Sequence, residues 1–249
     1  MNSEDVVKIA IIVLVIIILG ILLVKRFVYF KPSSLMLPSK ENYKNIYEGN
    51  LHAWYLEGSN KKVILYCHGN GGNISYCQSH IDSLNSLGYS VLIFDYSGFG
   101  NSKGVPSESQ LYQDVSIFVE YLMRTFDKKN IVLYGFSIGA SIASYVARKY
   151  NITTLIIESG LPSIKKLIKH KWCFISPLSF MFSEFNTERY LMGFKCNLLV
   201  MHSLNDEIIP YQITDVLRSL AKTSIDLKGM HNSNDIPWNK VDEFIKENS

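Results

Sequence analysis

From about residue 46 onward, short apolar runs alternate with longer amphipathic stretches through most of the 249-residue chain. Apolar runs of five or six residues bounded by turn residues are typical of buried strands, whereas apolar residues three or four positions apart are typical of helices. This alternation predicts an α/β fold with a mostly parallel central sheet and helices on both faces. Strands are predicted at 51–56, 63–67, 90–94, 130–134, 153–157, 198–202 and 224–227, and helices at 74–87, 108–126, 138–150, 211–221 and 240–247.

An apolar stretch at residues 6–24 precedes this pattern, and Lys8 is its one charged residue. At 1.5 Å per residue the stretch is long enough for a bilayer core of about 30 Å. A cleaved signal peptide is the alternative, but the apolar core is longer than usual and no A-x-A site follows. We therefore predict a single-pass anchor at 1–30, a linker at 31–45 and one domain at 46–249.

The charges around the apolar stretch predict its orientation. Lys25, Arg26 and Lys31 follow it, so the positive-inside rule places the C-terminal domain in the cytosol. A lumenal domain is the alternative. The N-x-S/T sequence that begins at Asn73 would place a glycan in the predicted active-site loop, which favours the cytosol.

Charge and cysteine spacing argue against nucleic acid, a zinc site and disulfides. The net charge is only +3 and no long basic run is present, so nucleic acid is not an expected partner. The four cysteines do not form a Cys-x-x-Cys pair, which argues against a zinc site. A domain of this size needs no disulfide, and we expect reduced thiols. The cysteines are Cys67, Cys77, Cys173 and Cys196.

A G-x-S-x-G motif at residues 135–139 lies between a predicted strand and a predicted helix. A nucleophile elbow requires this context, because the sharp turn exposes the serine hydroxyl at the edge of the sheet. The alternative is a glycine-rich turn with an incidental serine. The flanking elements favour Ser137 as a nucleophile.

A glycine-rich loop follows the earlier strand, at residues 68–73. Backbone N–H groups in such a loop can stabilise the oxyanion of a tetrahedral intermediate. We assign this role to the N–H groups of Asn70 and Ile138. A phosphate-binding loop is the rival interpretation, but the Gly-Lys-Ser/Thr ending is missing. His68 is interpreted as a structural residue of this loop.

An acid and a base follow the last two predicted strands. Asp206 comes after the strand at 198–202, and His231 comes after the strand at 224–227. The order Ser, Asp, His is that of α/β-hydrolases. We therefore predict a triad in which His231 accepts the Ser137 proton and Asp206 orients the imidazole. His202 is interpreted as a core or rim residue.

Five separated motifs now occur in one order, and together they resemble the alpha/beta-hydrolase-domain-containing proteins, closest to the protein 13 branch. The motifs are His68-Gly-Asn-x-x-Asn73, Asp95-Tyr-x-Gly-x-Gly-x-Ser-x-Gly104, Gly135-x-Ser-x-Gly139, Asp206-x-x-x-Pro210 and Gly229-x-His-Asn232. The resemblance implies the same triad, serine hydrolase activity, an N-terminal membrane segment, and no metal or organic cofactor. Related branches include protein depalmitoylases. Members of the 13 branch are described with a lumenal domain, against the charge argument.

The connection at about 160–195 is too long for a simple helix-to-strand link, and the resemblance implies a small cap over the site. Its aromatic residues are candidates for contact with an acyl chain, although packing of the cap on the core is an equal alternative. These candidates are Trp172, Phe174, Phe180 and Phe182. Because an anchor concentrates the enzyme beside membrane-borne substrates, we expect a lipid ester or an acylated-protein thioester. A peptidase and a non-catalytic scaffold for partner binding are the alternatives.

Overall fold

The computed structural model describes residues 3–28, 30–233 and 235–248. Its helices are α1 Ser3–Val28, α2 Gln78–Ser86, α3 Glu108–Leu122, α4 Gly139–Tyr150, α5 Ile164–Lys171, α6 Thr187–Leu191, α7 Asp215–Leu220 and α8 Trp238–Glu247. Its strands are β1 Lys31–Pro32, β2 Lys44–Glu48, β3 Leu51–Leu56, β4 Val63–Cys67, β5 Gly71–Gly72, β6 Ser90–Phe94, β7 Ile131–Phe136, β8 Thr154–Glu158, β9 Asn197–Ser203 and β10 Thr223–Leu227. Short 3₁₀ segments lie at Ile74–Cys77, Lys128–Asn130, Cys173–Met181 and Tyr211–Thr214.

One sheet organises the domain. Within the described residues it has eight strands in the order β10-β9-β8-β7-β4-β6-β3-β2. The β2–β3 and β3–β6 pairs are antiparallel, and the remaining pairs are parallel. The predicted fold class, a mostly parallel α/β-hydrolase sheet, is confirmed. Strand β2, an antiparallel edge strand, is not predicted from the sequence, because its mostly exposed residues lack the apolar run of the central strands.

Both faces of the sheet are covered by helices. On one face, α3 and α4 bury residues such as Val115, Phe118 and Val146 in one core cluster. On the other face, α2 and α8 bury residues such as Leu84 and Phe244 in a second cluster. Burying a side chain of this size contributes about 1.5–3 kcal/mol, so the two clusters fix the sheet and the loops at its edges.

Helix α1 begins the chain, and its stretch Glu4–Leu22 is long and apolar enough to cross a membrane. That property rests on length and composition. Gly20 is buried and Ile17 and Ile21 are half-buried, so one narrow face of the helix packs against the domain. The side chains of Lys25 and Arg26 lie outside the described residues, and the orientation inferred from their charges stays a prediction.

Residues 31–38, here called the strap, lie in the predicted linker and run along the loop that follows β4. The Lys31 N–H donates to Asn70 O at 3.1 Å, and the Ser33 N–H donates to Gly72 O at 2.9 Å. Asn73 Nδ2 donates to the carbonyls of Ser33 and Leu35, at 2.9 Å each. The strap therefore ties the end of α1 to the glycine-rich loop. The domain boundaries remain predictions.

The connection between β8 and β9 contains α5, the 3₁₀ segment Cys173–Met181 and α6. Helix α5 begins at a Ser163 cap, whose hydroxyl accepts the Lys166 N–H at 3.2 Å. Its buried residues, Ile164, Leu167 and Ile168, pack into the core cluster shared with α3 and α4. This connection is the region predicted as the cap.

Candidate active site

Ser137 lies in the tight turn between β7 and α4. Its φ of 57° is left-handed, a conformation that costs a non-glycine residue about 1–3 kcal/mol. The turn is held because the Ser137 N–H donates to Glu158 O at 3.0 Å. A side chain at Gly139 would overlap the Cys67 carbonyl oxygen, and one at Gly135 would crowd the start of α4. The two glycines of the motif are therefore required by close backbone packing.

The structure brings Ser137, Asp206 and His231 together. His231 Nε2 lies 3.0 Å from Ser137 Oγ, and His231 Nδ1 lies 2.7 Å from Asp206 Oδ2. An ionised carboxylate only accepts, so Nδ1 carries the proton and Nε2 accepts from the serine hydroxyl. All three residues are buried. This arrangement is able to remove a proton from Ser137 and to stabilise the resulting imidazolium.

Asp206 is held by the backbone that follows it. Its Oδ1 accepts the N–H of Ile208 at 2.9 Å and that of Ile209 at 2.7 Å, which leaves Oδ2 for His231. Burial acts to raise the pKa of Asp206, but the hydrogen bond and charge of His231 and the Ile209 N–H outweigh it. The net effect is a lowered pKa, so the carboxylate stays ionised.

His202 lies beside the same carboxylate, at the end of β9. Its Nε2 is 2.8 Å from Ile209 O and 3.3 Å from Asp206 Oδ2. Burial lowers the pKa of His202, so the ring is neutral and its Nε2–H donates to the carbonyl. The ring braces the turn that holds Asp206, in agreement with its interpretation as a core residue.

His231 is reached through a turn after β10. Gly229 adopts a φ of 112°, which only glycine adopts without strain, and its carbonyl accepts the Ser203 hydroxyl at 2.5 Å. The His231 N–H donates to Glu207 Oε2 at 2.9 Å. The base is therefore tied to β9 and to the loop that carries Asp206.

The glycine-rich loop lies directly against the elbow. A Cβ on Gly69 would be 3.5 Å from Ser137 Cβ and 3.1 Å from the Phe136 ring, so the missing side chain allows this approach. Ile138 stands at the N-terminus of α4, where the helix dipole favours negative charge. Asn70 lines the cavity next to Ser137. The oxyanion roles of the Asn70 and Ile138 N–H groups stay predictions.

His68 supports this loop from behind. Its Nδ1–H donates to Gly69 O at 2.9 Å, and its ring packs on Tyr96 with centroids 4.2 Å apart. Burial lowers the pKa of His68 to about 4, so the residue is neutral at physiological pH. It makes no contact with Ser137 among the hydrogen bonds of the described residues, which is consistent with a structural role.

A cavity of about 680 Å³ opens over Ser137. Its volume lies in the range of small-molecule sites. The lining residues are Lys31, Ser33, Tyr66, Gly69, Asn70, Gly71, Gly72, Tyr76, Cys77, His80, Phe136, Ser137, Glu158, Ile208, His231 and Asn232. Two of them, Lys31 and Ser33, belong to the strap.

A polar cluster forms part of the cavity wall. Glu158 is buried and accepts the Tyr134 hydroxyl at 2.6 Å, and its other oxygen lies 3.4 Å from His80 Nε2. Burial acts to lower the pKa of His80, but the charge of Glu158 and the hydrogen bond raise it overall. This cluster is not predicted from the sequence, although Glu158 ends β8 at the same edge of the sheet as Ser137.

The aromatic residues of the cap lie elsewhere. Trp172 and Phe182 are half-buried and pack on the core cluster, whereas Phe174 and Phe180 are exposed. The lining of the cavity, taken over the described residues, includes none of the four. Their contact with an acyl chain stays a prediction. Within residues 3–28, 30–233 and 235–248, no group of three or more His, Cys, Asp or Glu side chains forms a metal site.

Parts of this chain are similar in sequence to known proteins. Residues 58–182 match the family model Hydrolase_4, described as serine aminopeptidase, S33. The lysophosphatidylserine lipase ABHD12 of Danio rerio is 28% identical over 207 residues, which cover 74% of this chain and 54% of that protein. The membrane protein YNL320W of Saccharomyces cerevisiae is 34% identical over 171 residues, covering 64% of this chain and 60% of that protein.

The fold also matches solved structures. The esterase Pf2001 of Pyrococcus furiosus superimposes with a TM-score of 0.70 at 18% identity, over 88% of this chain and 99% of that one. At this identity the likeness concerns the fold. The chain spans about half the length of the curated ABHD12 relatives it matches.

Proposed function

The chain belongs to the serine aminopeptidase S33 family and is an ABHD-type serine hydrolase, and from this premise we propose that it cleaves carboxylic esters of membrane lipids through an acyl-enzyme on Ser137. The observation that carries the proposal is the continuous hydrogen-bonded chain from Ser137 Oγ through His231 to Asp206. Membership in the 13 branch stays a prediction.

The first chemical step forms a bond between Ser137 Oγ and the ester carbonyl carbon. His231 Nε2 accepts the hydroxyl proton, and Asp206 stabilises the charged imidazole. The tetrahedral intermediate places its oxyanion between the elbow and the glycine-rich loop, where the N–H groups of Ile138 and Asn70 donate to it. His231 then gives the proton to the departing alcohol oxygen as the C–O bond breaks.

The second step removes the acyl group. Water attacks the acyl carbon while His231 accepts one of its protons, and the restored serine hydroxyl leaves with that proton. The fatty acid is released. Glu158 and His80 in the cavity wall offer an acceptor and a donor to polar groups of the bound ester.

Three observations support a lipid ester. Helix α1 is long and apolar enough to cross a membrane, and the strap connects it directly to the cavity wall. Lys31 lines the cavity and carries a positive charge that suits an anionic head group. The relative from Danio rerio is a lysophosphatidylserine lipase. A phosphate-bearing lysolipid is therefore the substrate class we place first, and an S-acyl thioester is the second.

Labelling with a fluorophosphonate probe tests the nucleophile. Wild-type protein should react at Ser137, and Ser137→Ala should lose labelling and turnover. Ser144→Ala is the matched control, because Ser144 is a buried serine of α4 whose hydroxyl makes no hydrogen bond within the described residues. Labelling that survives in Ser137→Ala, or is lost in the control, contradicts the assignment.

A substrate panel tests the class of bond. Full-length protein in vesicles should hydrolyse lysophospholipid esters faster than a palmitoyl-peptide thioester or an aminopeptidase substrate. Faster cleavage of the peptide bond would replace the lipase proposal by a peptidase. Probe labelling without turnover of any of the three would point to another acyl substrate.

We also propose that the catalytic domain faces the cytosol, from the charges that follow α1. Protease added to sealed microsomes should then digest the domain and leave a protected N-terminal fragment. Protection of the domain would place it in the lumen.

A further inference from the structure

The 3₁₀ segment Cys173–Met181 of the cap, here called the cap segment, packs against the candidate membrane helix. A side chain at Gly20 of α1 would overlap Ile175 Cδ1 and would lie 3.1 Å from Phe174 Cε2. Glycine therefore permits close contact between the helix and the segment. Ile175 is fully buried in this contact. The cap segment is thus placed beside α1 by packing.

With α1 as a membrane anchor, this contact lies within the depth of the bilayer. The apolar stretch of the sequence ends at Val24, and Gly20 is four residues before that end, about 6 Å along the axis. An element that touches Gly20 therefore reaches the boundary of the hydrocarbon region. A water-soluble surface at this position would carry polar side chains.

The cap segment instead exposes large apolar side chains. Phe174 is 59% exposed, Phe180 is 80% exposed and Met181 is 47% exposed. Large apolar side chains exposed beside a membrane anchor favour a membrane contact, because insertion among acyl chains removes their apolar surface from water. Helix α5, which directly precedes the segment, exposes Lys165 and Lys169, which suit anionic head groups.

We propose that the cap segment is inserted into the bilayer leaflet in which α1 ends, with Phe174, Phe180 and Met181 among the acyl chains. The inference rests on the proposed membrane anchor. Phe30, which directly precedes the strap, packs on Phe99 and Phe185 with ring centroids 6.2 and 5.9 Å apart, so the chain beside the cap is held on the domain. Insertion therefore holds the cavity at the membrane surface, where a lipid ester leaves the leaflet.

A nitroxide on Cys173 measures the insertion directly. Cys173 is an exposed thiol of the cap segment, whereas Cys67 is buried. Cys77 and Cys196 are replaced by serine, and the full chain is reconstituted in vesicles of phosphatidylcholine and phosphatidylserine. The label should be relaxed by oxygen, which partitions into acyl chains, more than by a water-soluble nickel chelate. A nitroxide at Lys240→Cys, an exposed position of α8, gives the relaxation by oxygen and by the nickel chelate that is expected in water.

Charge insertion supplies an independent test. Met181→Glu should lower turnover of a vesicle-borne lysophospholipid by at least about tenfold, because a carboxylate at membrane depth is costly. Hydrolysis of a short water-soluble ester should stay unchanged. Met192→Glu is the matched control, since Met192 is an exposed methionine at the end of α6. It should leave both activities as in the wild type.

The two measurements separate the inference from the proposed function. Membrane-like relaxation at Cys173 supports insertion even in Ser137→Ala, which has no turnover. Relaxation at Cys173 equal to that at the α8 label overturns the inference even if the enzyme hydrolyses lipids. Equal loss of both activities in Met181→Glu, or no loss on vesicles, also counts against it.

Discussion

The triad and the strap reach the same cavity in different ways. Ser137, Asp206 and His231 follow the carboxyl ends of β7, β9 and β10, which are adjacent to or near one another in a sheet buried on both faces. The strap lies outside that sheet and is joined to the glycine-rich loop by a two-residue ladder with β5 and a few hydrogen bonds. Rigid elements thus position the reacting groups, whereas the wall over them depends on the segment that leads from α1.

The two regions differ in how strongly they are held. Each hydrogen bond of the strap contributes about 0.5–1.5 kcal/mol net, and the strap residues are mostly exposed. The strands that precede Ser137 and Asp206 are buried over most of their length, whereas β10, which precedes His231, is an edge strand with mostly exposed residues. Substitutions in the triad should therefore lower the catalytic rate without changing the fold. Substitutions in the strap should instead weaken the positioning of the cavity wall in proportion to the hydrogen bonds that are lost.

The largest expected effect is in the triad. Asp206→Asn keeps the shape of the side chain but removes the charge and the acceptor that fix the His231 tautomer. We expect kcat to fall on the order of 10⁴-fold with the melting temperature nearly unchanged. Steady-state turnover of a soluble ester, with circular dichroism melting, measures both quantities.

Asp226→Asn is the control for this prediction. Asp226 lies in β10 and accepts the Tyr211 hydroxyl at 2.6 Å, away from the cavity. It should retain wild-type kcat. If Asp206→Asn turns over normally, or Asp226→Asn loses activity instead, the acid of the triad has been assigned to the wrong carboxylate.

The difference between the buried sheet and the exposed strap also explains which parts of the site can be predicted from the sequence. Buried parallel strands appear as uninterrupted apolar runs, and the carboxyl ends of parallel strands meet at one edge, so the motifs after β7 and β9 predict the positions of Ser137 and Asp206. Strand β10 is mostly exposed and lacks such a run, so the position of His231 is predicted from the order Ser, Asp, His. Lys31 and Ser33 carry no such signal. Their place in the cavity depends on a pairing of Lys31–Pro32 with Gly71–Gly72, which is too short to leave a periodic pattern.

Glu158 and the cap segment are two further features that cannot be predicted from the sequence. Glu158 ends a buried strand, but burial of a carboxylate is visible only when its partners Tyr134 and His80 are placed beside it. For the aromatic residues of the cap, the sequence leaves contact with an acyl chain and packing on the core as equal alternatives, because residue type does not decide whether such a side chain faces the cavity, the core or α1. That choice depends on long-range packing, such as Ile175 against Gly20.

Deleting the strap should have the second largest effect. Removal of residues 1–38 takes away the donors to Asn70 O and Gly72 O, whereas removal of residues 1–28 keeps them. We expect the longer deletion to lower kcat on a soluble ester by up to about 10²-fold, since small displacements of positioning groups have effects of this size. The shorter deletion should retain most of the activity.

Comparison of the two deletions in the same detergent removes the membrane as a cause. A melting curve shows that each variant is folded. Equal kcat in the two deletions would mean that the strap has no part in ordering the glycine-rich loop.

Substitution of one donor gives a smaller effect. Ser33→Pro removes the N–H that donates to Gly72 O, worth about 0.5–1.5 kcal/mol, or about 2- to 12-fold in rate if all of it is expressed in the transition state. Ser34→Pro places the same ring one residue further on. A loss of kcat in Ser33→Pro beyond that in Ser34→Pro supports the hydrogen bond, and equal loss assigns the effect to stiffness of the chain.

The smallest expected effect concerns the Lys31 side chain, which lines the cavity but is exposed to solvent. An exposed charge pair contributes about 0.2–1 kcal/mol, so Lys31→Ala should raise KM for a lysolipid with an anionic head group by about 1.4- to 5-fold. The kcat should stay constant, because the contact is made equally in the ground state and the transition state.

Lys61→Ala, which removes an exposed charge from another loop, controls for the loss of net charge. Because salt screens exposed charges, the difference between Lys31→Ala and the wild type should shrink at high ionic strength. A change in kcat, or an equal change for a lysolipid with a neutral head group, would show that Lys31 acts through the strap backbone and not through its charge.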